Sequence, residues 1–157
     1  MSRKTKIYLV LALLVGAVLS ALAFWIRSAV TTSRADRFFD LGWLHSASGE
    51  EVEEEGAWFR TLSPRQQRAS AHRALTRSDG ERGGANHHDA FFVLAEHGNE
   101  ESIPYLLDWL KARGDLQEGH GIICIRGHCV DALEKITGRK LGYNYSDWKD
   151  WDKRSDR

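Results

Sequence analysis

Residues that would define a disulfide scaffold or a disordered protein are scarce in this chain. Only two cysteines and two prolines occur among 157 residues, which argues against a disulfide-dense mini-domain and a proline-rich disordered chain. Net charge is absent too, since 22 basic residues balance 22 acidic ones. Arg3, Lys4 and Lys6 precede the first apolar run, which leaves 19 basic against 22 acidic residues after it. A slightly acidic body argues against nucleic-acid binding, which needs basic surface.

Signals for strands, phosphate binding and nucleophilic catalysis are also missing. The Gly-rich segment 77–86, RSDGERGGAN, follows no strand pattern and contains no GxxxxGK[ST] motif, so it is interpreted as a linker rather than a phosphate-binding loop. No nucleophile elbow accompanies any serine. We therefore predict an all-α protein that is not an enzyme, with no cofactor and no small-molecule substrate.

The chain does contain one long apolar run. Residues 7–26, IYLVLALLVGAVLSALAFWI, are 20 uncharged residues without a polar face. At ~1.5 Å per residue, a helix of this length spans a hydrocarbon core of ~30 Å. We predict a single transmembrane helix over 7–26, preceded by a basic tail over 1–6.

The flanking charges indicate an orientation for this helix. A basic tail before the first apolar segment favours a cytoplasmic N-terminus, which places the rest of the chain in the periplasm or outside the cell. A cleaved leader is the alternative, because Ser20–Ala23 offers an A-x-A-like cleavage site. Phe24, Trp25 and Ile26 extend the apolar run beyond that site and favour a retained anchor.

Residues 27–76 are predicted to form a helical cap region. Ser33 and Asp36 have the spacing of a capping box, as do Ser63 and Gln66, and Pro64 fits the first helical position. Apolar residues recur at helical spacing behind Ser33, whereas the helix that follows Pro64 has Leu75 as its only large apolar residue. The linker 77–86 then separates this region from a C-terminal domain over 87–153.

The C-terminal domain is predicted to contain two helix pairs. Gly98 and Gly138 are suitable helix stops, and Pro104 is tolerable only in the first turn of its helix. Short turns join the helices of each pair, which requires antiparallel packing. The pairs recur at roughly 40 residues, the period of α-solenoid repeats.

Residues 88–152 resemble the HEAT-repeat family. The resemblance is carried by Phe91–Gly98, by IPYLLDWL at 103–110, by DALEKITG at 131–138, and by the Gly142-Tyr143 link followed by Trp148 and Trp151. It implies an armadillo-like stack of helix pairs that binds proteins. Leu133, Ile136, Gly138, Trp148 and Trp151 are expected to form the structural core of the last repeat, with the two tryptophans closing a repeat that has no further neighbour.

Two readings remain open for the segment 120–129. His120, Cys124 and His128 are spaced four apart and can share a helix face, but Gly121 and Gly127 weaken that helix and no CxxC or HExxH spacing occurs, so no metal site is predicted. Cys124 and Cys129 are a disulfide candidate, although two unbridged, partly buried cysteines are the default expectation. A bridge requires the helix to begin near Gly127, because five positions on an unbroken helix separate the two thiols.

The function predicted from these observations is a membrane-anchored protein-interaction module with an unidentified protein partner. The alternative from another class is a metal-dependent hydrolase using His87, His88 and Asp89, although further ligands for that chemistry are not evident. A secreted structural envelope protein, released by leader cleavage, is the remaining alternative.

Overall fold

The computed structural model describes residues 3–41, 49–77, 85–116 and 124–155, and these ranges contain helices and no β-strand. The helices are α1 (Arg3–Leu41), α2 (Gly49–Phe59), α3 (Pro64–Leu75), α4 (His87–His97), α5 (Ile103–Ala112), α6 (Cys124–Thr137) and α7 (Tyr145–Ser155), with a 3-10 turn at Glu100–Ser102 before α5. The predicted all-α class is confirmed for the described part of the chain.

The predicted membrane segment lies within α1. Large apolar side chains between Leu13 and Ile26 are exposed around this helix. Within the described residues, α1 is the one helix long and apolar enough to cross a membrane, in the stretch Leu13–Asp40. A helix that is apolar on every side suits a lipid environment, because in water its apolar side chains would remain exposed to solvent.

The chain forms two compact units, Met1–Arg34 and Ala35–Arg157, and the division falls inside α1. The prediction of a new helix start at Ser33 is wrong, because Ser33 lies in the interior of α1. No glycine or proline interrupts the sequence between Ile26 and Leu41, so the helix continues without a break. The last turns of α1 belong to the second unit.

Ion pairs and aromatic contacts hold these last turns of α1 in the second unit. Asp36 accepts hydrogen bonds from Arg73 and Ser70 of α3, at 2.9 Å each, and Asp40 accepts one from Arg77 at 2.7 Å. Close aromatic contacts join Phe38 and Phe39 to Phe59, with the rings of Phe38 and Phe59 stacked at 4.2 Å. From Ala35 onward, the described part of the predicted cap region belongs to the same compact unit as the C-terminal helices.

Helix starts in the second unit follow local sequence signals. Ser63 caps α3 with the predicted capping box to Gln66, and Pro64 occupies the first turn. Asn86 caps α4 through the backbone N–H of Asp89. Side-chain acceptors at these positions satisfy N–H groups that have no partner inside the helix, so these starts are decided by neighbouring residues.

The core of the second unit lies where α4, α5 and α6 meet. α4 packs between α3 and α6, while α5 contacts α3, α6 and α7. Its fully buried apolar side chains come from several helices and include Phe91, Leu94, Leu106, Leu110, Leu133 and Trp148. Burial of these side chains supplies the main favourable contribution to folding.

Gly98 is required for the close approach of the end of α4 to α6. A Cβ added there would overlap the carbonyl oxygen of Leu94 and lie 2.6 Å from Cδ1 of Ile136. We expect Gly98→Ala to lower the free energy of unfolding by about 1–3 kcal/mol through overpacking, as measured by thermal unfolding of the full chain in detergent.

Gly127 provides the matched control on α6. A Cβ at this position meets nothing within 4 Å, so Gly127→Ala should raise stability by about 0.5–1 kcal/mol through helix propensity. Equal effects of the two substitutions would contradict the close approach at Gly98.

Candidate functional site

Three potential metal ligands meet where the first turns of α4 and α6 pack together. His88 lies on α4, and Cys124 and His128 lie one turn apart on α6. The ligand atoms of these three side chains all lie within 4.8 Å of one another. We refer to these residues as the His88–Cys124–His128 cluster. In the described part of the chain, no other group of three histidine, cysteine or acidic side chains has this geometry.

The cluster combines close polar contacts with access to solvent. Cys124 Sγ lies 3.2 Å from His128 Nε2. The ring of His128 lies 5.1 Å from that of His88 and 4.5 Å from that of Phe92, between centroids. Cys124 is exposed, while both histidines are half-buried. The rings are thus oriented by packing, while the thiol side remains open.

His87 is part of the core and not of this cluster. Its side chain is buried, and its Nδ1 accepts a hydrogen bond of 2.8 Å from the indole N–H of Trp109. The hydrogen therefore resides on Nε2, which lies 3.2 Å from the carbonyl oxygen of Ala74 and 3.1 Å from that of Arg77. Both ring nitrogens are engaged, so His87 serves to join α4 to α3 and α5.

Asp89 belongs to the start of α4. Its carboxylate accepts a hydrogen bond of 2.7 Å from the Asn86 side chain, whose oxygen in turn caps the Asp89 N–H. Burial raises the pKa of Asp89, and the adjacent His88 opposes that shift. The structure does not bring His87, His88 and Asp89 to one site. The hydrolase alternative has no converging ligand set from these three residues.

The two cysteines occupy different environments. Cys129 is buried, its Sγ lies 3.5 Å from the carbonyl oxygen of Leu106, and burial raises the pKa of its thiol far above the usual value. Cys124 is exposed, and both thiols are free. A disulfide between them would need α6 to begin near Gly127, but α6 begins at Cys124. His120, the third residue of the predicted ligand spacing, lies outside the described residues.

The residues predicted as the core of the last repeat lie on or around α6 and α7. Leu133 and Trp148 are fully buried, and Ile136 and Trp151 pack against the core while partly buried. Gly138 follows α6 with φ of 67°, a left-handed conformation that favours glycine. The Trp148 indole N–H donates to the carbonyl oxygen of Gly142 at 2.8 Å, and the ring meets Trp151 edge to face at 6.1 Å.

An open groove runs beside α2 in the second unit. Its volume is about 670 Å³, and its lining includes Phe38, Val52, Glu53, Gly56, Arg60 and Asp89. Val52 is exposed although it is apolar. We call this concavity the α2 groove. Its lining combines apolar side chains with charged groups of both signs.

A smaller cleft of about 350 Å³ lies beside Trp109. Three of its polar lining residues already make contacts within the second unit. His87 bonds to Trp109, Arg77 pairs with Asp40 at 2.7 Å, and the guanidinium of Arg113 stacks 3.7 Å from the Trp109 ring.

Comparison with protein-family models, curated proteins and solved structures finds no match for this chain. What the cluster and the groove can bind therefore follows from their own side chains. The sequence did not predict that His88 joins Cys124 and His128, because 36 positions separate His88 from Cys124. The spacing of Cys124 and His128 was the only local signal.

Proposed function

We propose that the chain is a membrane-anchored protein-interaction module without catalytic activity. The observation that carries this proposal is the α2 groove, an open apolar concavity of about 670 Å³. An apolar side chain of a partner gains by leaving water for such a surface, at roughly 25 cal/mol per Å². The groove does not require any reactive group for this role.

Helix packing in the second unit supports the repeat-like part of the proposal. α4 neighbours α6, and α5 neighbours α7, as expected if the two helix pairs stack in register. In HEAT-like arrays such stacking leaves one surface available for partners.

The charges at the groove define the chemistry of the proposed partner. Glu53 and Asp89 both line the groove, and Glu53 is flanked by other acidic residues in the sequence of α2. Arg60 is the basic residue of the lining. We infer a partner segment with an apolar anchor and a neighbouring basic residue, because a basic group placed near these carboxylates gains Coulomb energy.

Membrane attachment through residues 7–26 is the second part of the proposal. We infer that the N-terminus is cytoplasmic and the body is exported, from the basic residues that precede the apolar run. Protease added to spheroplasts should then digest the body without detergent, and the mature chain should retain its residues before Phe24. Digestion only after lysis would contradict the orientation, and an N-terminus at Phe24 would indicate a secreted protein.

The groove is tested with a photo-crosslinking amino acid placed at Val52 in the full chain, in intact cells. We expect one discrete protein adduct from position 52. The matched control is Ala57, on the same helix, exposed and outside the groove lining. The adduct should not form from position 57.

A groove-filling variant sharpens the same experiment. A Cβ at Gly56 would lie 3.6 Å from Arg60 Nη1 and 3.8 Å from Phe38 Cε2, which are ordinary contact distances. Because Gly56 lines the groove, the larger side chain of Gly56→Leu should occupy part of it and reduce the adduct by at least about tenfold, as expected for loss of roughly 1.4 kcal/mol of binding. Ala57→Leu should leave it unchanged. An adduct that survives Gly56→Leu, or that forms equally from position 57, would refute the groove as the binding site.

A further inference from the structure

We propose that the His88–Cys124–His128 cluster binds a borderline-soft transition-metal ion of the zinc class. This site is separate from the α2 groove, and it departs from the sequence-based expectation of no metal site. Two imidazoles and one thiolate form a nitrogen and sulfur donor set that zinc prefers over oxygen-only ligands.

The distances within the cluster are close to those that coordination needs. A tetrahedral ion with bonds of about 2.0–2.3 Å holds its ligand atoms roughly 3.3–3.8 Å apart. The separation between Cys124 Sγ and His128 Nε2 is 3.2 Å, and no pair of ligand atoms exceeds 4.8 Å. Small side-chain rotations therefore suffice, and the exposed position of Cys124 leaves room for them.

The two helices position the ligands in different ways. Cys124 and His128 are four residues apart on α6, which places their side chains on one face. His88 comes from α4, which packs directly against α6. Phe92, one turn after His88, lies against the His128 ring at 4.5 Å between centroids. The ion would therefore link two helices whose backbone positions are already set by the core.

Metal binding to this cluster is expected to release one proton, from the thiol of Cys124. The metal forms bonds to Cys124 Sγ and to one nitrogen of each histidine, and the Cys124 S–H bond breaks, with its proton released to solvent. Three protein ligands leave one position of a tetrahedral ion for water or another small ligand. Because the ion binds the folded arrangement of α4 and α6, it should also stabilise the folded state.

Cobalt(II) is the spectroscopic probe, used with the reduced, tag-free full chain in detergent. We expect stoichiometric binding with visible bands and a near-ultraviolet thiolate-to-cobalt transition, and displacement of cobalt by zinc. Cys124→Ser should abolish the thiolate transition, and His88→Gln or His128→Gln should weaken affinity by about 100-fold or more, since even outer-shell changes cost 10–100-fold.

Matched controls distinguish this site from adventitious binding. Cys129→Ala and His97→Gln remove the same side-chain types outside the cluster and should leave cobalt affinity unchanged. Magnesium and calcium, which prefer oxygen ligands, should not displace cobalt. Wild-type affinity in His88→Gln would overturn the site, because it would leave only the two ligands of α6.

Alkylation of the wild-type chain supplies a measurement that needs no variant. Iodoacetamide should modify the exposed Cys124 in the native protein and spare the buried Cys129. Equimolar zinc should slow modification of Cys124 by at least about tenfold, because a metal-bound thiolate is held in coordination, and should raise the melting temperature. Unchanged alkylation in zinc, with no thiolate transition in cobalt, would refute the proposal.

Discussion

Replacing Trp148 with alanine is expected to lower the free energy of unfolding by about 3–5 kcal/mol, the range for removing a large buried aromatic side chain. Trp148 is fully buried, and it is among the largest side chains in the core. It anchors α7, whose contact within the described part of the second unit is made mainly with α5. The substitution removes the one side chain of α7 that is fully buried in the described part of the core.

Two further substitutions separate packing from hydrogen bonding at this position. Trp148→Phe keeps most of the apolar volume but removes the indole N–H that donates to Gly142 O at 2.8 Å, so its cost should be smaller. Trp151→Ala should also cost less, because Trp151 is only partly buried. Thermal unfolding of the full chain in detergent, followed by circular dichroism, gives these values. A cost for Trp151→Ala that equals that for Trp148→Ala would contradict this assignment of the core.

Replacing Arg126 with methionine is expected to cost about 3 kcal/mol, because it removes a buried charged donor and leaves its acceptors unpaired. The side chain is 3% exposed. Its guanidinium donates to the carbonyl oxygens of Tyr143 at 2.9 Å and Gly114 at 2.8 Å, with a longer contact to Arg113 at 3.4 Å. Arg126 thereby joins the end of α5 and the segment before α7 to α6.

Lysine at position 126 tests the geometry of this contact. Arg126→Lys keeps the charge but loses the planar fork that reaches several carbonyl groups at once. We expect a loss of stability between those of the wild type and Arg126→Met. Urea unfolding in detergent should show the order wild type, lysine, methionine. Equal stability of all three proteins would show that these carbonyl contacts contribute little.

Signals between neighbouring residues predicted much of the helical structure. The capping box at Ser63, the position of Pro64 and the stops at Gly98 and Gly138 could be read locally, because each depends on a few adjacent positions. The prediction of a helix start at Ser33 was wrong because it also relied on a few adjacent positions. Its spacing also fits a capping box, but nothing before it interrupts the long apolar helix, so the residue lies inside α1.

The roles of adjacent residues of the same type could be assigned only from the tertiary structure. His87 and His88 are adjacent and chemically identical, yet His87 bonds to Trp109 in the core while His88 faces the first turn of α6. Their directions differ because successive helical positions are rotated by about 100°. Sequence analysis could place both at a helix start but could not decide which one meets Cys124 and His128.

The sequence by itself determined the helical class of the described chain, the apolar character of α1 and several helix ends, since hydrophobic periodicity and caps act over a few residues. Only the tertiary structure decided that Phe38 and Val52 line one groove and that His88 joins Cys124 and His128. Those juxtapositions depend on how whole helices pack. Packing depends on the shapes of many buried side chains together, so it cannot be predicted from the spacing of a few neighbouring residues.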